Sequence, residues 1–477
     1  MPGGRTTPLK AHPTERASIN SNVTVTNGHV KRVPRSLPYV GAATAAVAGL
    51  FVERIGSARM LKSYRLARLR ALLRHSYETV PFYRQRFQSV GFHPDQFRTM
   101  EDLQRVPITR KSDLRMAAEQ DVLALDCDPA RLHRHGTGGS TGTPTEVRFT
   151  PFEDRLLRVM RIQANMRFGL RPWHRRITSV VRRSSRTGLL EQFGILRSRD
   201  INAYSPWEEI REGVRHFGPD VIRGYSSVLA SLADKLTDED RLYIRPRFIT
   251  TDSENLTELA RARIEAGFRA PVFDIYDCWE CNVIAYQCRR GKGYHVMDTS
   301  LVVEVLNEDR PVSPGECGEI AFTSLHAWAA PLIRYMPGDI VEQGPAQCSC
   351  GAPNSCLAKI YGRTHDRFRL PDGRTLHPKL LSTWIYSICP LLRLYQIVQE
   401  APDRIVVKLQ PNPGVQVPPE KVATMRNGMT HFLGEGVTLL INLVDDIPLE
   451  PNGKFRPYLC HVDIGRSAED FVETGIA

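Results

Sequence analysis

Hydrophobic periodicity divides the chain into a polar arm, a long body and a short C-terminal unit. Residues 1–38 are rich in Thr, Pro, Asn and Arg and have no apolar period, so we predict a disordered tail. Residues 59–80 place Leu66, Leu69 and Leu73 on one face and predict an amphipathic helix. Further along, β-like runs lie at 147–149, 177–181, 247–251, 272–276, 301–306 and 319–322, and helix-like stretches at 152–168, 207–217, 227–236 and 256–266.

This alternation predicts an α/β body. The texture changes after Gly362, where β-like runs at 366–370, 395–400 and 404–409 and a helix-like stretch at 378–388 indicate a small α+β unit. We therefore predict a disordered basic tail (1–38), a large N-terminal domain (39–365) and a small C-terminal domain (366–477). Two domains that meet at a short hinge are a common setting for a ligand cleft.

The positive charge of the chain is concentrated near its N-terminus. The chain has 64 Lys and Arg against 52 Asp and Glu, a net charge of +12. Residues 1–75 hold 13 of the basic side chains and two acidic ones, and the other residues are almost balanced, with 51 and 50. A nucleic-acid-binding domain would carry the charge on its folded surface, so we expect no nucleic acid. The basic arm is either a solvated tail or a weak contact to an anionic membrane or a partner protein.

Length and cysteine content narrow the class of protein further. A chain of 477 residues can bury a large core. No apolar run reaches the ~20 residues of a membrane span, and the longest, 39–52, is rich in Ala and Gly. Ten cysteines do not form a disulfide framework at this length, and no signal peptide opens the chain. We expect a cytoplasmic protein, in which clustered cysteines bind metal more often than they form disulfides. A homodimer is a further possibility that the sequence does not decide.

A glycine-rich stretch at 135–144 is the sharpest local feature. Its glycines allow positive φ angles, and its backbone N–H groups and hydroxyls suit an anion such as a phosphate. No Gly-Lys-Ser/Thr follows, so this is not a Walker A loop, and a flexible surface turn remains the alternative. The candidate phosphate-binding residues are Gly136, Thr137, Gly138, Gly139, Ser140, Thr141, Gly142 and Thr143.

Four later motifs carry candidate ligand-binding side chains. Glu280 follows the apolar run at 272–276, at a strand end where α/β proteins place catalytic groups, and suits Mg²⁺ held between protein and phosphates. Asp339 follows a glycine turn and suits the two hydroxyls of a ribose. Arg363 lies at the predicted hinge. Lys454 stands on an Asn-Gly turn, from which a domain movement would bring it to a phosphate.

In this order the motifs resemble those of the adenylate-forming superfamily, and most closely its phenylacetate–CoA ligase branch, which includes relatives found with capsular-polysaccharide genes. The resemblance runs from Leu66 to Tyr458. It implies a large adenylating domain and a mobile C-terminal lid. It also implies ATP-dependent activation of a small carboxylic acid to an acyl-AMP, release of pyrophosphate, and transfer of the acyl group to CoA. The alternatives are transfer to an amine, a carrier protein or a sugar, or a non-catalytic nucleotide-binding scaffold.

The resemblance assigns a role to each motif. The glycine-rich loop would hold the ATP β- and γ-phosphates. The remaining residues would act as follows: Tyr276 beside the adenine, Glu280 on Mg²⁺, Asp339 on the ribose, Arg363 in support of the nucleotide, and Lys454 between the carboxylate and the α-phosphate. Glu280 and Lys454 are the catalytic candidates, since positioned cations stabilise the charge that develops on the phosphate.

Three positions depart from the family pattern. Thr143 stands where a Lys is usual, and Asp277 and Trp279 replace a Gly and a Thr. The lost Thr puts an α-phosphate contact in doubt, so an inactive relative is a further alternative. Trp279 would narrow the acyl pocket, which Tyr225 would also line. The sequence leaves the identity of the acid open.

A second group of residues has the spacing of a zinc site. A C-x6-H pair and a C-x-C pair supply three thiolates and an imidazole, the ligands of a closed tetrahedral site: Cys288, His295, Cys348 and Cys350. The relatives show a similar pattern. Cys356 is the substitute ligand if His295 is not used, and free buried cysteines are the alternative. Cys278 and Cys281 flank Glu280, and we interpret them as pocket thiols.

Overall fold

The computed structural model describes residues 57–136, 146–180, 193–202, 205–290, 292–363, 366–449 and 455–462, together with two short strands near the N-terminus. The chain separates into two units, 1–45 and 46–477. In the first unit, β1 (Val25–Thr26) pairs with β2 (His29–Val30) in antiparallel fashion. The rest of the predicted tail lies outside the described residues, so its disorder stays a prediction.

The second unit opens with the predicted amphipathic helix, α1 (Ala58–Thr79). Ser57 caps it by accepting a hydrogen bond from the Met60 N–H, and Leu69 and Leu73 of its leucine face are buried. It ends at Val80, which is extended because Pro81 follows, and Pro81 opens α2 (Pro81–Ser89). Among the described residues, no helix has the length and apolarity needed to cross a membrane.

The large part of this unit alternates helices and strands, as predicted. Its other helices are α3 (Lys111–Met116), α4 (Pro151–Arg167), α5 (Trp207–Phe217), α6 (Ser226–Lys235), α7 (Asp240–Tyr243) and α8 (Glu258–Phe268). Its first strands are β3 (Thr109–Arg110), β4 (His133–Gly136), β5 (Glu146–Phe149), β6 (Arg176–Val180), β7 (Ser198–Asn202), β8 (Val221–Gly224), β9 (Phe248–Asp252) and β10 (Val272–Cys278). The later strands are β11 (Asn282–Gln287), β12 (Tyr294–Val296), β13 (Leu301–Asn307), β14 (Arg310–Pro311), β15 (Cys317–Ser324), β16 (Tyr335–Met336), β17 (Asp339–Gln343) and β18 (Cys356–Arg363).

Fourteen of these strands form one sheet in the order β14-β13-β15-β17-β18-β12-β11-β10-β9-β8-β6-β7, with β16 joining β15 to β3. In this order, the neighbouring strands from β10 to β7 pair in parallel. The neighbouring strands from β14 to β10 pair in antiparallel fashion. Strands β8, β9 and β10 therefore end at the same edge of the sheet. Candidate ligands at this edge come from the residues that follow each strand.

The C-terminal part has its own sheet and core. Its strands are β19 (Phe368–Arg369), β20 (Thr375–Leu376), β21 (Leu392–Ala401), β22 (Arg404–Pro411), β23 (Thr438–Leu443) and β24 (Tyr458–Cys460), and its helices are α9 (Ser382–Ile385) and α10 (Pro419–Leu433). The sheet order is β23-β22-β21-β24. Phe368, Tyr395 and Met429 are buried in its core, to which α8 adds Leu259. The predicted α/β class, with a large domain and a small α+β domain, is confirmed, and the exact boundaries stay predictions.

One predicted element differs from the structure. The helix expected at 378–388 is instead a series of short turns: a 3₁₀ turn at Pro378–Leu380, α9, and a second 3₁₀ segment at Tyr386–Leu391. Pro390 lies within the second 3₁₀ segment, and because it has no N–H and its ring clashes with the carbonyl four residues earlier, that segment does not continue as an α-helix.

Candidate nucleotide and metal sites

Three of the sequence-predicted nucleotide residues lie together where β10, β17 and β18 meet. Asp339 begins β17 and faces Arg363, which ends β18. The Arg363 Nε lies 3.1 Å from Asp339 Oδ1, and its Nη1 donates to the Pro337 carbonyl at 2.8 Å. The Tyr276 phenol of β10 donates to Asp339 Oδ2 at 2.7 Å. The sheet thus joins an aromatic ring, a carboxylate and a guanidinium from three distant segments.

The electrostatics of this group fix the protonation of two members. The Asp339 carboxylate raises the pKa of Arg363, so the guanidinium stays charged. Burial raises the pKa of Tyr276, and Asp339 raises it further. The phenol therefore remains protonated and keeps donating its hydrogen bond.

Glu280 lies just beyond β10, in the turn to β11, and is buried. The Tyr335 phenol donates to its Oε1 at 3.1 Å, and Lys111 Nζ lies 3.6 Å from the same atom. Strand β16 carries Tyr335 and pairs in parallel with β3. Because Lys111 directly follows β3, this pairing brings it close to Glu280. Sequence reasoning missed both partners. Tyr335 lies four residues before the predicted Asp339, whereas Lys111 has no local signal.

The surroundings of Glu280 fit a magnesium ion in part. Both recorded contacts fall on Oε1, and no described residue donates a hydrogen bond to Oε2. A carboxylate oxygen without a protein donor is the ligand that Mg²⁺ takes between a protein and nucleotide phosphates. Lys111 offsets part of the carboxylate charge, so the phosphates would have to supply the remaining negative charge.

Asp277, which stands where the family pattern has a glycine, is part of a buried ionic network. Arg161 of α4 contacts Asp277 at 2.5 Å and Asp252 at 2.9 Å, and Asp252 also pairs with Arg223. Burial raises the pKa of Asp277, and Asp252 adds to the rise. Burial opposes ionisation of Asp252, but Arg223 and Arg161 outweigh it and lower the pKa. Two cations and two carboxylates thus meet at the ends of β8, β9 and β10, so Asp277 is committed to protein contacts.

Trp279 lies near His135, the first residue of the glycine-rich stretch. Trp279 is 54% exposed, and its ring centroid is 6.3 Å from that of His135. His135 belongs to β4, which pairs with β5, and Gly136 ends β4 opposite Glu146. This hairpin therefore brackets residues 137–145. The other predicted loop residues and the lysine lie outside the described residues: Thr137, Gly138, Gly139, Ser140, Thr141, Gly142, Thr143 and Lys454.

The four predicted zinc ligands lie in one cluster, and their ligand atoms are within 4.8 Å of one another: Cys288, His295, Cys348 and Cys350. Cys288 and Cys348 place their sulfurs 3.8 Å apart, and Cys350 Sγ is 3.2 Å from His295 Nε2. A tetrahedral zinc with Zn–S bonds of about 2.3 Å separates two sulfurs by about 3.8 Å. The donor set and the spacing therefore fit a closed zinc site.

Local turns and strand pairing build this cluster. Cys288 follows β11, and its N–H donates to the Gly293 carbonyl at 2.9 Å, which closes the loop before β12. Gly293 has φ +93°, and a Cβ there would lie 2.6 Å from the Leu357 carbonyl oxygen. Strand β12 pairs His295 with Cys356 of β18. Cys356 Sγ lies 4.0 Å from His295 Nδ1, on the nitrogen opposite the one that faces Cys350.

The thiols that flank Glu280 are close together and buried or half-buried. Cys278 Sγ and Cys281 Sγ are 3.4 Å apart. Burial raises the pKa of both thiols, so they stay protonated and are poor nucleophiles. Their interpretation as pocket thiols stays a prediction.

Comparison with known proteins agrees with this arrangement. The family model described as the CapK C-terminal domain matches residues 369–458. A phenylacetate-coenzyme A ligase from Thermus thermophilus is 27% identical over 353 residues, covering 71% of this chain and 78% of the ligase. Protein CapK from Staphylococcus aureus is 24% identical over 245 residues, covering 50% of this chain and 52% of CapK. These similarities support the phenylacetate–CoA ligase-like branch of the adenylate-forming superfamily.

The fold of this phenylacetate–CoA ligase-like chain is also found in solved structures. The crystal structure of 2-hydroxyisobutyryl-CoA ligase in the postadenylation state, in complex with 2-HIB-AMP, superposes with a TM-score of 0.69 at 21% identity. The alignment covers 83% of this chain and 89% of that ligase. The family resemblance stated from the motifs is therefore confirmed, with the C-terminal part of the CapK type.

Proposed function

We propose that this protein activates a carboxylic acid with ATP, forming an acyl-AMP and pyrophosphate, and then transfers the acyl group to CoA. The observation that carries the proposal is the convergence of Tyr276, Asp339 and Arg363 at one edge of the sheet. Glu280, which follows β10, is the metal-binding candidate beside them. Descent from the same branch as named CoA ligases supports the reaction class.

In the first step, a carboxylate oxygen of the acid attacks the α-phosphorus and the bond to pyrophosphate breaks. Asp339 would accept hydrogen bonds from the ribose hydroxyls, while Arg363 and Tyr276 hold its carboxylate in place. Glu280 would hold Mg²⁺, which when bound neutralises phosphate charge. Lys454 would supply a cation between the two reacting groups, and no protein nucleophile is needed.

In the second step, the thiol sulfur of CoA attacks the acyl carbon and AMP leaves with one oxygen of the original carboxylate. The second candidate acceptor is an amine, a carrier-protein thiol or a sugar hydroxyl. The C-terminal part matches the family model of the CapK C-terminal domain, and the chain is therefore not similar to CoA ligases alone. For this reason the second class of acceptor is tested as well.

A pyrophosphate-exchange screen tests the proposal. Aryl acids including phenylacetate, fatty acids and amino acids are each supplied with ATP, Mg²⁺ and labelled pyrophosphate. At least one acid should drive label into ATP, and CoA should then be consumed with release of AMP. Acid-dependent exchange without CoA consumption would favour another acceptor. ATP binding without exchange for any acid would favour the non-catalytic scaffold.

We also propose that the cysteine–histidine cluster holds a structural zinc ion. The cluster adjoins Cys356 at the start of β18, and Arg363 is at the other end of that strand. Eight residues at about 3.3 Å each span roughly 25 Å, so the two sites are well separated. Four protein ligands leave no open coordination position, so the ion would tie loops together and would not touch the nucleotide.

A further inference from the structure

Glu254 makes a hydrogen-bond pattern that no predicted role explains. It lies between β9 and α8, and its carboxylate accepts four hydrogen bonds. Three come from the start of α6: the Ser226 hydroxyl, the Ser227 N–H and the Ser227 hydroxyl, each at 3.0 Å. The fourth comes from the backbone N–H of Phe455, at 2.8 Å.

The residues after Phe455 are held by the C-terminal part. The Arg456 carbonyl accepts a hydrogen bond from Gln396 Nε2 at 3.0 Å, and the Arg456 guanidinium pairs with Asp366. The Pro457 carbonyl accepts the Ile397 N–H at 2.8 Å, directly before β24. Phe455 is therefore the point where a strand of the C-terminal sheet is tied to the large domain. The residue before it in the chain is Lys454.

A helix cap alone would not require this arrangement. The serine hydroxyls and the Ser227 N–H account for a carboxylate at the N-terminus of α6, where the helix dipole favours negative charge. The bond to Phe455 is additional and comes from a residue 201 positions away. Burial raises the pKa of Glu254, because removing a carboxylate from water is costly.

We propose that Glu254 is a positioning residue for Lys454. By holding the Phe455 N–H, Glu254 ties the residue that follows Lys454 in the chain to the domain that carries Tyr276 and Asp339. This inference rests on the proposed function, because it gives Lys454 its role in the first step. It predicts that loss of Glu254 slows adenylate formation and leaves acyl transfer from a finished adenylate unaffected.

The kinetic test compares four variants with the wild-type protein in separate half-reactions. Glu254→Ala removes the tie, and Glu254→Gln keeps the side-chain length if the alanine variant folds poorly. Ser227→Ala removes a neighbouring hydrogen bond to the same carboxylate, and Glu258→Gln makes the same exchange at an exposed position on α8. The Glu254 variants should lose roughly tenfold or more in the kcat of pyrophosphate exchange, the value of one charge-assisted hydrogen bond. Acyl transfer from synthetic acyl-AMP to CoA should stay within about twofold of the wild-type rate.

Backbone hydrogen exchange tests the tie without any substrate. In the wild-type protein and in Glu258→Gln, the peptide containing 455–460 should be protected, and in Glu254→Ala its amide exchange should be faster. Unchanged protection would overturn the tie, even if no acid supports catalysis. Faster exchange with a wild-type pyrophosphate-exchange rate would overturn the positioning role while the proposed function stands. Equal losses in both half-reactions would mean that Glu254 is purely structural.

Discussion

Asp339 and Arg363 face each other across β17 and β18, with the guanidinium Nε 3.1 Å from the carboxylate. Arg363 is also the last residue of the sheet before the C-terminal part begins. The group that would bind the ribose is therefore fixed by the residue at the predicted hinge. Nucleotide binding and the position of the C-terminal part would be coupled through this pair.

Replacing Asp339 by Asn should weaken ATP binding. The amide keeps the size of the side chain, but it lacks the negative charge that pairs with Arg363 and that strengthens the hydrogen bonds proposed from the ribose hydroxyls. We expect the KM for ATP to rise by about 10- to 100-fold, the range of one or two charge-assisted hydrogen bonds. Asp446→Asn, an exposed aspartate of the C-terminal part, is the control and should leave KM unchanged. A wild-type KM in Asp339→Asn would remove Asp339 from the nucleotide site.

Replacing Lys454 by Ala should abolish most adenylate formation while ATP binding and the melting temperature stay nearly unchanged. The loss of one transition-state charge contact costs on the order of 10²–10³ in rate. Pyrophosphate exchange measures the rate, and Lys421→Ala on the exposed face of α10 is the control. If Lys454→Ala exchanges pyrophosphate as fast as the wild-type protein, the role assigned to this lysine is wrong.

The zinc proposal predicts about one zinc ion per chain in protein purified without chelator. Cys350→Ser should lose the metal and lower the melting temperature, because binding of a structural metal contributes folding free energy. ATP affinity should not change in the protein that remains folded. Cys127→Ser is the control, since Cys127 lies outside the cluster. Absence of zinc by elemental analysis would reduce the cluster to unligated side chains, and full retention of zinc in Cys350→Ser would identify Cys356 as the fourth ligand.

The burial of His326 leads us to predict that the protein loses stability in mild acid. It is buried, its Nε2 contacts the Thr299 carbonyl at 2.9 Å, and burial, aided by Arg68, lowers its pKa to about 4. An unfolded histidine has a pKa of about 6.5, so the unfolded chain takes up a proton between pH 6.5 and 4 while the folded protein does not. This stability is therefore present above pH 6.5 and is lost as the pH falls toward 4.

The urea midpoint at pH 7 and pH 5 measures this effect. The difference in the pKa of His326 between the folded and unfolded states should by itself lower the free energy of unfolding by about 2 kcal/mol from pH 7 to pH 5. His326→Gln keeps a donor toward Thr299 and should make the change with pH smaller by that amount. His461→Gln, at an exposed position, should not alter it. An identical pH dependence in wild type and His326→Gln would mean that His326 is not held neutral by the fold.

The sequence predicted those parts of the fold whose pattern is local. All six apolar runs of the body are strands, because a buried strand such as β9 is apolar or small at nearly every position. Strand β18 was missed because Lys359 and Arg363 interrupt its apolar pattern. The 378–388 segment was predicted as a helix from its apolar spacing, which does not distinguish one α-helix from a series of short helical turns.

The same limit applies to the sites. Tyr276, Asp339 and Arg363 each stand in a recognisable motif, so their meeting could be expected. Lys111 reaches Glu280 only through the pairing of β3 with β16, in which Thr109 faces Tyr335, 226 residues away in the chain. No local pattern gives a signal for such a pairing. The domain boundaries, the basic arm and the homodimer remain predictions.

Isotope transfer from the acid tests the central claim most directly. The acid that supports pyrophosphate exchange is labelled with ¹⁸O in both carboxylate oxygens and supplied with ATP, Mg²⁺ and CoA in a single turnover. Because adenylation bonds one carboxylate oxygen to the α-phosphorus, mass spectrometry should find one ¹⁸O in the released AMP and none in pyrophosphate. Label in inorganic phosphate with formation of ADP, or AMP without label, would contradict an acyl-adenylate mechanism.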